Sequence, residues 1–243
     1  MKKFIFMFLF VLLLLISCST DEAPFEHNYV VSLVLKPDLR FQKAFIDSTY
    51  RLDSYIDNTL TGISGAEIFI VDENSDTFRY GESDTLMGLY FSYDPFCVKY
   101  GMKYLVNVFV GGEAISREVQ VPGSLNIRSP EHLDTVSLSD PPVVIWNSCE
   151  DCFENTYMVS SYIKKDTLML IPMLTPDTTL GIFYNRFLFE EKDTIYTVLV
   201  EAMDSNFYSH LKSWGKYGNL GERNAIGLVG AMVFDTITVW VQE

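Results

Sequence analysis

Apolar and polar residues alternate with a period of two along much of the chain, the pattern of half-buried strands. Tyr29–Leu35 (YVVSLVL) opens the series, β-branched and apolar enough for a buried strand. Residues 44–51 alternate more weakly. Residues 65–72 set Ala66, Ile68 and Ile70 against Glu67, Phe69 and Val71, opened by Gly65 and closed by the turn-forming Glu73-Asn74-Ser75-Asp76. Further strands are expected at 77–80, 88–93, 104–110 and 114–121, the last two joined by Gly111-Gly112, a two-glycine hairpin signal. Residues 124–141, rich in Ser, Pro and Asp, read as a linker. Strands resume at 143–146, 156–163, 167–171, 179–189, 194–203 and 236–241. One segment departs from the pattern. Phe207, Leu211 and Trp214 fall at i, i+4 and i+7, one face of a helix near 204–217 that Asp204 or Ser205 can cap. The expected class is all-β: two sandwich domains at 29–123 and 142–243, with one short helix in the second.

The N-terminus changes the picture from fold to address. Met1-Lys2-Lys3 is a basic start, and residues 4–16 form an unbroken apolar run of 13 residues. A helix needs about 20 such residues to span a bilayer, so this is the core of a signal peptide over residues 1–17. Leu15-Ile16-Ser17-Cys18 resembles the bacterial lipobox. That resemblance implies that Cys18 is acylated on sulfur with palmitate-type chains and becomes the mature N-terminus, with residues 18–28 as a tether. Two or three acyl chains anchor stably where one is marginal. Ser19 resembles the outer-membrane default. Asp21-Glu22 fits either the acidic export tag of Bacteroidota surface lipoproteins or a plain solvated linker.

Composition narrows the partners. The 243 residues carry 18 Lys+Arg against 32 Asp+Glu, a net charge of −14, and no basic patch. Nucleic acid and anionic lipid surfaces recruit clustered Lys and Arg, so neither is the expected partner. With 48% hydrophobic and 14% aromatic residues, the chain has ample material for packed cores.

Three segments then suggest a family. Gly65-Ala66-Glu67-Ile68-Phe69-Ile70-Val71-Asp72, Gly88-Leu89-Tyr90-Phe91 and Tyr104-Leu105-Val106-Asn107-Val108 together resemble the Ig-like, transthyretin-like domains of bacterial envelope proteins. Val144-Ile145-Trp146 followed by Tyr157-Met158-Val159 resembles the opening of a fibronectin III-like sandwich. With the lipobox, the chain is similar to two-domain envelope lipoproteins of unknown function found in Bacteroidota. The resemblance implies a non-enzymatic interaction module on the outer membrane, on its periplasmic or surface face, accessory to an outer-membrane receptor. A glycan- or nutrient-binding lipoprotein is the alternative. A hydrolase is a distant third, because such folds serve many functions and do not name one.

Candidate chemistry is sparse. No metal-protease, hydrolase-elbow, phosphate-loop or dinucleotide motif occurs, and no cofactor is expected. His27, His132 and His210 have no second ligand at metal spacing, so no metal site is expected. Asp-Thr recurs at 76, 84, 134, 166, 177, 193 and 235, usually ahead of a strand, which is turn chemistry. Asp72 to Asp76 looks like the start of a calcium loop, but Thr77 and Ser83 stand where Gly and the bidentate Glu belong. Cys149-Glu150-Asp151-Cys152 admits a redox motif, half a zinc site or a structural disulfide. A disulfide between Cys149 and Cys152 suits an oxidising envelope best, since no βαβ setting is present and the acidic pair weakens a nucleophile. Cys97 reads as a buried small hydrophobe between Phe96 and Val98. Trp146, Trp214 and Trp240 each sit in apolar patterns and are expected in the core.

Overall fold

The structure is a computed structural model that describes residues 28–37, 39–50, 62–137, 139–140, 142–163, 169–180, 193–213, 220 and 225–242. The signal peptide, Cys18, His27 and Trp214 lie outside the described residues.

Among the described residues the chain is all-β with one short α-helix, as the alternation predicts. Two sheet layers build the first sandwich. One contains β1 (Tyr29–Leu35), β2 (Lys43–Ser48) and β5 (Leu89–Ser92). The other contains β3 (Glu67–Asp72), β6 (Lys103–Val110) and β7 (Glu113–Gln120), all antiparallel. Strand β4 (Thr77–Glu82) belongs to both. Its first three residues pair with β3 and its last three with β5, so the chain turns the corner between layers inside one strand. Alternation sends Val31, Leu33, Leu35 and Ile46 inward from one layer and Ile68, Ile70, Val106 and Val108 from the other, all essentially buried. Phe96 closes the end of this core, stacked on Phe78 at 4.0 Å and edge-on to Tyr104 at 5.6 Å. Gly111 and Gly112 both take positive φ in the hairpin between β6 and β7, which is why two glycines stand there.

The second sandwich pairs β11 (Tyr157–Ile163) with β12 (Met169–Thr175) and with β14 (Thr194–Met203). Facing them is a small sheet of β8 (Ile127–Ser129), β10 (Val144–Trp146) and β13 (Thr179–Leu180). Trp146 is buried there, edge-on to Tyr157 at 5.6 Å, as expected.

Two elements differ from the expectation. Residues 124–141 are not a bare linker. They carry β8 and β9 (Thr135–Ser137), which pair into the second sandwich. Ser, Pro and Asp mark the tight turns around these short strands rather than a free tether. The last strand, expected at 236–241, is β15 (Ala225–Gln242), 18 residues long. Ala225–Ala231 run parallel to β1 of the first sandwich, and Met232–Val241 run antiparallel to β14 of the second. The division expected between 29–123 and 142–243 is therefore crossed by one continuous strand. Its middle lacks alternation because it is covered on both faces, with helix α1 (Ser205–Lys212) lying on one of them. Asp204 caps α1 as predicted, its Oδ1 accepting from the Phe207 N–H at 2.8 Å.

Candidate functional site

Three places combine exposure with chemistry. The first is a cleft of about 470 Å³ on the outer face of β1 and β2, with α1 as one wall. Val34, Leu39, Phe45, Phe207 and Met232 make it apolar, and Lys36 and Lys43 supply two cations. The loop after β1 is held in place by buried Gln42. Its Nε2 donates to the carbonyls of Lys36 and Leu39, both at 2.8 Å, and its Oε1 accepts from the Lys36 N–H at 3.0 Å. Lys36 Nζ lies 5.7 Å from the centre of the Phe234 ring. Burial pulls its pKa down and Lys43 pulls it further, against the attraction of Glu201. Among the described residues, neither lysine has a carboxylate within ion-pairing distance.

Two buried carboxyls stand beside this region at the end of β14. Glu201 is pushed up to about 7 by burial, opposed by Lys36. Asp204 is also pushed up to about 7 by burial, opposed by backbone donors led by Phe207. Asp204 is committed to capping α1, beneath Gly230, where a Cβ would stand 2.9 Å from Asp204 Oδ1.

The second place is the outer face of β3 and β6. Phe69 and Phe109 stack at 5.9 Å, Leu105 continues the strip, and both Leu105 and Phe109 are 43% exposed. The exposed ion pairs Arg79–Glu67 (3.1 Å) and Lys103–Glu118 (3.0 Å) border it, and the Arg79 guanidinium sits 5.9 Å above the Phe69 ring. On the second sandwich Trp240 is 49% exposed, contrary to the expected core position. In the β15 alternation Val239 and Val241 point inward, so Trp240 faces out beside Ile195 of β14.

The third place is the loop of Cys149 and Cys152. Both are free thiols in this structure, so the expected disulfide is not formed in it. Cys97 is exposed, because the alternation that buries Phe96 and Val98 turns the residue between them outward. Of the histidines, His132 Nδ1 accepts from the Thr238 N–H at 3.1 Å, and His210 Nδ1 is buried with no hydrogen-bond partner. The acidic loop after β3 is a turn: Asp72 Oδ1 accepts from the N–H groups of Asn74 and Asp76, each at 2.9 Å. No group of three metal-ligating side chains occurs among the described residues.

No family model matches the chain, and no curated protein matches it. Solved structures similar to it include the fibronectin(III)-like modules of CbhA from Clostridium thermocellum, at 9% identity and a TM-score of 0.26, covering 91% of this chain and 92% of that one. A titin fragment matches at 9% identity and a TM-score of 0.23, over 90% of this chain and all of that one. A family protein of Legionella pneumophila matches at 12% identity and a TM-score of 0.25, over 72% of this chain and 52% of that one. The chain is an all-β protein of sandwich architecture, a class read from its own strand pairing.

Proposed function

We propose that this chain is a non-enzymatic, lipid-anchored envelope protein that binds a protein partner, held to the outer membrane by acyl chains on Cys18. The observation that supports the binding role is the strip of Phe69, Leu105 and Phe109. It is apolar at its centre and bordered by two exposed ion pairs, the anatomy of a protein–protein interface. Scattered apolar residues on a surface are ordinary, but adjacent ones on a flat sheet face form a patch that a partner can dehydrate. An outer-membrane receptor is the partner the anchor favours, since both are confined to the same bilayer.

The test is crosslinking in native membranes with a C-terminally tagged chain, followed by mass spectrometry. Wild type captures one stoichiometric outer-membrane protein, and the Phe69→Asp/Phe109→Asp double variant, with unchanged circular dichroism, loses it. The same capture by both proteins refutes the assigned face. Anchoring is read separately: Cys18→Ser leaves the membrane fraction and takes up no labelled palmitate.

A second reading has its own observation. The cleft with Lys36 and Lys43 lies within the size range of small-ligand pockets and offers apolar walls with cations at one end. It suits a small anionic nutrient with an apolar body. Isothermal titration with hydrophobic carboxylates, lost in Lys36→Gln/Lys43→Gln, distinguishes this reading from the first.

A further inference from the structure

The loop between β10 and β11 carries features that neither binding role uses. Cys149 and Cys152 are hydrogen-bonded thiols in very different surroundings. Cys149 is 2% exposed, and its Sγ lies 3.1 Å from the Gly123 carbonyl oxygen. Cys152 is partly exposed, and its Sγ lies 3.2 Å from the Cys149 carbonyl oxygen and 3.9 Å from the Tyr157 hydroxyl. That hydroxyl oxygen already accepts the Cys149 N–H at 3.0 Å, which leaves its own proton free to point at the Cys152 sulfur.

The backbone around the pair is strained. Asp151, Glu154 and Asn155 have φ of 57°, 51° and 50°, three non-glycine residues in the left-handed region within five positions. Such outliers gather at working sites. The loop is also clamped at the junction between the sandwiches, where the Gly123 N–H donates to the Glu150 carbonyl at 2.6 Å.

We propose that Cys149 and Cys152 form a thiol–disulfide exchange site, with Cys152 attacking and Cys149 resolving, whose oxidant is a cationic or uncharged disulfide. Exposure, the Tyr157 proton and the Cys149 thiol all favour the thiolate at Cys152. Hydrogen bonding from Cys149 draws the Cys152 pKa down to about 7, against burial, and the same contact raises that of Cys149. The Cys152 thiolate attacks one sulfur of the oxidant. A Cys152–S–S–R bond forms, the S–S bond of the oxidant breaks, and R–S⁻ leaves with the electron pair and takes a proton from water. Cys149, giving its proton to solvent, then attacks Cys152 Sγ and expels the second thiolate. The protein loses two electrons and two protons, and one disulfide becomes two thiols. Glu150 and Asp151 inside the loop and Glu154 beside it set the choice of oxidant, because their field repels an anionic disulfide.

The experiment uses the full chain extracted from membranes, reduced, and then exposed to cystamine or to oxidised glutathione, with cysteine adducts mapped by peptide mass spectrometry. Wild type is expected to accumulate a Cys149–Cys152 disulfide, with cystamine faster than oxidised glutathione by roughly tenfold at low salt and by less at high salt. Cys149→Ser traps the cysteamine adduct on Cys152 ahead of exposed Cys97, whereas Cys152→Ser leaves Cys149 unmodified. If the variants misfold, an early time course on wild type shows the transient adduct on Cys152. The proposal is overturned if adducts form on Cys97 first, if Cys149 is modified before Cys152, or if the pair is isolated as a disulfide that mild dithiothreitol does not open.

Discussion

The buried carboxyl of Glu201 sets a stability that depends on pH, and Glu201→Gln isolates it. In the folded chain its pKa is about 7, against an ordinary value of 4.5, because burial disfavours the charged form more than Lys36 favours it. The folded state therefore holds a proton that the unfolded chain releases above about pH 4.5. Between pH 4.5 and 7 unfolding becomes easier as pH rises, by up to about 1.4 kcal/mol per pH unit, and the loss levels off above 7. Integrated over that window, Glu201 destabilises the fold by about 3 kcal/mol at pH 8 relative to a group that never ionises. Glutamine keeps the shape and cannot ionise. Urea unfolding followed by tryptophan fluorescence at pH 4.5, 6 and 8 measures the difference between the two chains. The variant should match wild type at pH 4.5 and exceed it by up to about 3 kcal/mol at pH 8. The repulsion from a net charge of −14 weakens both chains alike at high pH and drops out of the comparison. Equal pH slopes for the two chains, or a variant less stable at pH 8, would refute the reasoning.

Other expectations follow from single contacts. Gly230→Ala should cost about 1 kcal/mol by pushing Asp204 out of its cap, seen as faster hydrogen exchange confined to α1 and its neighbours. Gln42→Leu leaves the Lys36 N–H and the Leu39 carbonyl without this partner, while the Lys36 carbonyl keeps the Leu39 N–H, at roughly 1–3 kcal/mol for each group left buried, read by thermal unfolding. Gly227→Ala places a methyl against the Val31 carbonyl at a φ of 121°, so it should break the β1–β15 pairing and raise exchange rates on both strands. A fragment of residues 29–123 lacks the β15 half that covers β1. It should self-associate through that open edge in analytical ultracentrifugation, where the full chain does not.

Much of the fold was legible because alternation reports a sheet with one buried face. Tyr29–Leu35 and Thr194–Met203 have the bounds that their patterns predict. The two glycines at 111 and 112 announced a hairpin for the stated conformational reason. Where strands are covered twice, the signal vanishes, and the first half of β15 shows only an apolar run interrupted by Gly227 and Gly230. Trp240 and Cys97 were misplaced for a different reason. Apolar neighbours alone do not signal burial, because the phase of the alternation decides which face a residue takes. The cleft was invisible from sequence, since Lys36, Lys43, Phe207 and Met232 meet only through long-range pairing.

The 18-residue strand also explains why the unusual groups gather where they do. A strand shared by two sandwiches must leave one layer and enter the other, and at Ala231–Met232 its partner changes from β1 to β14. Near it lie α1, the Gln42-pinned loop and the side chains of Lys36, Asp204 and Glu201, the last a paired residue of β14 itself. Polar groups are needed there to satisfy loop backbone and cap the helix, and burial then perturbs their ionisation. The Cys149 loop closes over Gly123, the other covalent crossing between the sandwiches, and meets α1 through Phe153, whose ring lies 5.1 Å from that of Tyr208. Both crossings are therefore built from titratable or oxidisable side chains, while the outer strip of Phe69, Leu105 and Phe109 rests on regular sheet. The binding role we propose stands on regular sheet, whereas the two carboxyls that burial pushes up to about 7 lie at a seam.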